Sequence, residues 1–112
     1  MIDNAYPKMI TRLPEVDVSL DGVRGWLSQA KDHQVVFWDI DPIGEIPRHS
    51  HGEQWGVVVE GEMDLTIGGE TRRYRAGDSF HIPAGVEHGA TFLTHFRAVD
   101  FFADVDRYQA RE

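Results

Sequence analysis

Apolar and polar residues alternate with a period of two through much of this chain. In Met63-Asp64-Leu65-Thr66-Ile67 the apolar side chains fall on one face and the polar ones on the other, as in a strand with one buried face. Similar runs are Val23–Ala30, Gln34–Asp41, Gln54–Glu60, Thr71–Arg75, Ser79–Ile82, Glu87–Leu93 and Phe96–Ala103. Gly and Pro punctuate the gaps, at Pro42-Ile43-Gly44, Gly61, Gly68-Gly69, Gly77 and Pro83-Ala84-Gly85. Short, evenly spaced strands with such breaks predict an all-β sandwich or barrel. Gly68-Gly69 suits a two-residue hairpin turn of type I′, whose central positions both need positive φ. No long 3.6-residue period occurs. Asp104–Glu112 is a weak helix candidate, read as a C-terminal turn or tail, and residues 1–20 read as an N-terminal arm on a single domain.

Two strands carry apolar residues on both faces. Gln54, Gly56, Val58 and Glu60 oppose Trp55, Val57 and Val59; Phe96, Ala98, Asp100 and Phe102 oppose Arg97, Val99, Phe101 and Ala103. If Gln54 points inward, the Trp55/Val57/Val59 stripe points out and needs a cover. The N-terminal segment could supply it, or a second copy of the chain; a homodimer is expected.

Composition narrows the function. The 112 residues hold no cysteine, which excludes disulfides and thiolate metal sites and suits a reducing, cytoplasmic setting. A formal net charge of −8 argues against nucleic acid or an anionic membrane as partner. The first residues lack the basic and apolar regions of a signal peptide, and no apolar run approaches the roughly 20 residues that span a bilayer. The expected partner is a small molecule.

Candidate chemistry begins at His49-Ser50-His51. Residues two apart in extended chain face the same side, so both imidazoles can reach one cation. Spacing alone fits two surface histidines equally well. His81, between Phe80 and Ile82, reads as pocket-lining or as an ordinary histidine, and His33 and His95 read as solvated. Asp100 shares a face with Phe96 and Phe102; an acid among phenylalanines is desolvated and suits proton transfer. Arg107 could pair with a substrate carboxylate, or be a surface charge.

Wider context changes the weighting. Gly77, Pro83, Gly85 and His88 match the second motif of the cupin superfamily, Gly-x5-Pro-x-Gly-x2-His-x3-Asn, up to the histidine; Phe92 stands where the asparagine would be. Gly44, His49, His51, Gln54 and Gly61 resemble the first motif, Gly-x5-His-x-His-x3–4-Glu-x6-Gly. Gly44 lies one residue closer than that motif asks, the His51–Gln54 step is shorter by at least one residue, and Gln replaces Glu. The chain thus resembles a small single-domain cupin, a jelly-roll-like β-barrel (double-stranded β-helix).

That resemblance implies one divalent transition metal (zinc, nickel, iron or manganese) on His49, His51, Gln54 and His88. Glu53, reached through a bulge, is the rival to Gln54. The segment from His88 to Tyr108 also resembles the cupins of pectin and alginate degradation that open unsaturated uronate rings. By that resemblance Asp100 and Arg107 are catalytic, Arg107 being offset by one position, and Phe102 lines the substrate pocket; Phe96, on the same strand face, and His81 are read as pocket residues from their own positions. The implied activity is ring opening, isomerisation or elimination on a small carbohydrate or carboxylic acid. A non-catalytic binding or sensing protein and an iron-dependent dioxygenase are the other classes the fold hosts.

Overall fold

The computed structural model describes residues 6–111; Met1–Ala5, part of the expected arm, and Glu112 lie outside the described residues. The strands are β1 (Val23–Gln29), β2 (Gln34–Ile40), β3 (Gly44–His49), β4 (Gln54–Glu60), β5 (Glu62–Ile67), β6 (Glu70–Arg75), β7 (Ser79–Ile82), β8 (His88–Phe92) and β9 (Phe96–Phe102). They form two antiparallel sheets, one ordered β1-β2-β9-β4-β7 and the other β3-β8-β5-β6, closed face to face around an apolar core that includes Val36, Val58, Ile82, Phe96 and Phe102. The all-β jelly-roll expectation is met.

One strand escaped the sequence pattern. β3 carries Pro47, which cannot donate to a ladder and belongs at an edge or an irregularity. It has both: β3 is an edge strand, and its register with β8 shifts between Ile46 and His49. The β5–β6 turn also differs from expectation. Gly68 has φ +61° but Gly69 is not in the positive region, so the turn needs one unusual residue, as type II′ does, and not two.

The N-terminal segment covers part of the outer face at β1 and β2. Tyr6 packs edge-on to Trp26 and Phe37, its hydroxyl donating to Trp38 O at 2.9 Å. A four-residue helix α1 (Lys8–Thr11) follows, and Val16 is buried, bridged to Ala110 in a tail of bends. Trp55, Val59 and Phe101 remain exposed. Arg97, on the outer face of β9, is buried against Glu60 (2.6 Å) and Asp39 (3.6 Å). His95 joins that cluster through Asp39 and Glu60, so it is not simply solvated. No helix among the described residues is long and apolar enough to cross a membrane.

Candidate metal centre

Topology brings the histidines together. His49 ends β3 and His88 opens β8, and the two are register partners across the ladder. His51 follows in the loop to β4. The ring centroids lie 4.4 Å (His49–His88), 4.8 Å (His51–His88) and 5.4 Å (His49–His51) apart. One nitrogen from each ring lies within 4.8 Å of the others, a spacing that could hold a metal ion.

The hydrogen bonds fix the tautomers. His49 Nδ1 lies 3.0 Å from Pro47 O, His51 Nδ1 2.9 Å from Gly52 O and His88 Nδ1 3.0 Å from Val86 O. A carbonyl only accepts, so each Nδ1 carries the proton and donates it, leaving each Nε2 with a lone pair for a cation. Burial, with Arg107 and neighbouring histidines adding to it, lowers the pKa of His51 and His88. Both rings therefore favour the neutral, metal-competent form. The donor set fits a divalent transition metal.

The opposite sheet supplies the remaining groups. Gln54 opens β4 and is buried, and Asp100 sits on β9 beside it. Asp100 faces Gly56 across the ladder; a Cβ at residue 56 would lie 2.0 Å from Asp100 Oδ1 and 2.4 Å from Phe80 Cζ. The missing side chain is what makes room for the carboxylate. Desolvation pushes the Asp100 carboxyl up from 3.8 to about 7, and hydrogen bonds from the Gln54 and Trp38 side chains hold it from rising further. Asp100 Oδ1 and Arg107 Nε are buried without a hydrogen-bond partner among the described residues. Such atoms are costly to leave unpaired.

A cavity of about 670 Å³ is lined by the three histidines, Gln54, Asp100, Arg107, Phe96 and Phe102. Two sequence expectations need correction. His81 does not line it: Phe80 and Ile82 point inward, which turns His81 to the exterior, where Nε2 meets Glu53 Oε2 at 2.6 Å. That same pair holds Glu53 on the outer face, away from the imidazoles, and removes it as the rival ligand.

Two contributors had no sequence signal. Tyr108 packs edge-on against Trp38 and Phe102 and carries the Arg107 guanidinium over its ring at 4.5 Å. Its backbone is clamped by fully buried Gln34, which donates to Tyr108 O at 2.8 Å and accepts from Tyr108 N at 3.1 Å. Gln34 thereby seats the Arg107-Tyr108 segment at the cavity from 74 residues away, a pairing no local pattern encodes.

A two-sheet β-barrel with an imidazole triad inside defines a metal-site barrel of the cupin kind. The chain belongs to the cupin family: the family pattern, described as a cupin domain, matches residues 36–102. It is similar to a Bacillus subtilis protein named H2HPP isomerase, at 35% identity over 94 residues, which cover 82% of this chain and 39% of that protein. The chain thus spans about two fifths of that relative's length. Among solved structures it is similar to KdgF from Halomonas sp. (TM-score 0.70, 26% identity, 87% of each chain covered). It is also similar to an RmlC-like cupin from Shewanella frigidimarina NCIMB 400 (TM-score 0.73, 27% identity, 98% and 95% covered).

Proposed function

We propose that the protein is a metal-dependent enzyme of the isomerase or lyase type, acting on a small carboxylic acid by moving a proton without redox change. The observation that carries this reading is one cavity lined by an imidazole triad, a buried acid and an arginine. A relative named an isomerase supports it. His49, His51 and His88 would hold the ion through Nε2. Gln54, whose side chain hydrogen-bonds Asp100, would add its carbonyl oxygen by donating its NH2 to that carboxylate. A divalent cation bound there supplies Lewis-acid polarisation of a substrate carbonyl or hydroxyl oxygen.

Asp100 takes a proton from the carbon next to that oxygen-bearing centre and returns it elsewhere on the same molecule, so no electrons are gained or lost. Arg107 binds the carboxylate through paired N–H donors. Trp38, Met63, Leu65, Phe80 and Phe92 wall the cavity and keep bulk water from the acid.

The test is turnover of unsaturated uronates and 2-oxo acids by metal-loaded protein, followed by NMR in deuterated water. Wild type is expected to form product equally well without oxygen, which separates this chemistry from an iron dioxygenase. Asp100→Asn is expected to abolish turnover with metal content unchanged. Ligand-induced thermal stabilisation with no product across the panel would overturn the enzymatic reading in favour of a binding protein.

A further inference from the structure

The turn from His51 to Gln54 is shorter than the cupin spacing, yet it must deliver His51 to its two partners. It is staked at three points. Gly85 N–H donates to His51 O at 2.8 Å, and Ala103 N–H donates to Glu53 O at 2.9 Å. Between them, Gly52 N–H donates to Asp104 Oδ2 at 2.9 Å. Asp104 lies just past β9, 52 residues along the chain. The approach is close: a Cβ at residue 52 would lie 2.2 Å from Asp104 Oδ1. Gly52 is not in the positive-φ region, so its glycine is required by the carboxylate and not by the backbone angle. Gly52 O is also the acceptor that orients the His51 ring, and Asp104 Oδ2 lies 4.0 Å from His51 Nδ1.

We propose that Asp104 is a positioning residue for the metal ligand His51: it pins Gly52 by its N–H, and the carbonyl of that same residue sets the His51 ring. The inference rests on the metal reading above. Its role is geometric: the carboxylate accepts the N–H of the same residue, Gly52, whose own carbonyl orients the imidazole. Groups that orient metal-ligating histidines typically change metal affinity about 10- to 100-fold when removed.

The experiment is Co²⁺ titration of the full chain, read by the visible absorption spectrum, with melting of the metal-free protein in parallel. Asp104→Ala is expected to weaken Co²⁺ binding by about 10- to 100-fold while the metal-free protein still melts cooperatively. Asp104→Asn keeps an acceptor oxygen and is expected to restore the wild-type spectrum and most of the affinity. Gly52→Ala, which displaces Asp104 without altering it, is expected to weaken binding similarly, and to add nothing in the Asp104→Ala background. Wild-type affinity in Asp104→Ala, failed rescue by Asn, or additive losses in the double variant would each overturn the inference and leave the metal reading intact. A wild-type protein that binds no Co²⁺ would overturn both.

Discussion

Replacing Asp100 by asparagine should shift the stability of the metal-free protein, relative to wild type, progressively upward as pH rises from about 4 to 8. Burial raises the folded-state carboxyl from 3.8 to about 7. The native state therefore holds its proton more tightly than the unfolded chain, and ionisation favours unfolding. Below about pH 4 both states are protonated and the penalty is absent. Between about pH 4 and 7 the unfolded chain loses its proton first, so stability falls as pH rises. Above that window the whole difference persists. A gap of about three pKa units, at about 1.36 kcal/mol each, amounts to about 4 kcal/mol as an upper figure. Asparagine cannot titrate, so the variant lacks this slope. Its amide also alters local hydrogen bonding, but that offset is independent of pH. The assay is urea denaturation of chelator-treated wild type and Asp100→Asn from pH 4 to 8. A stability difference constant across that range would refute the reasoning, since it would mean that Asp100 ionises in the folded protein as it does in the unfolded chain.

Gln34→Leu removes the hydrogen bonds of a fully buried carboxamide to Tyr108 and Gln29; the stranded backbone groups should cost about 2–4 kcal/mol in urea unfolding, and a loss below about 1 kcal/mol would contradict the clamp. A divalent cation at about 100 times its dissociation constant should stabilise the protein by about 2.7 kcal/mol, measurable as a raised melting temperature; His88→Ala should abolish that rise, and an unchanged rise would place the ion elsewhere. Trp55 and Phe101 are neighbours across β4–β9 and both exposed. Sedimentation at micromolar concentration should show a homodimer that Trp55→Glu dissociates, and a monomeric wild type would count against an interface there.

What could be read from the chain was whatever depended on period and spacing. The alternation in β4 and β9 put Gln54, Asp100 and Phe102 on the inner face and Trp55 and Phe101 on the outer one, and burial follows it. The same rule held the answer for His81: with Phe80 and Ile82 inward, it had to face out. β3 was hidden because Pro47 interrupts it at the irregularity. Arg97 broke the rule in the other direction, an outward position buried against Glu60 and Asp39. Gln34 and Asp104 were invisible because each acts on backbone far along the chain, and backbone partners leave no trace in residue type.

His49 and His88 belong to the four-stranded sheet, while Gln54 and Asp100 belong to the five-stranded one. Neither layer alone carries the imidazole pair together with the acid. A partly melted molecule that kept one layer intact would therefore be chemically inert and not partially active. If the proposed enzymatic reading holds, loss of activity on heating should coincide with loss of the sandwich itself.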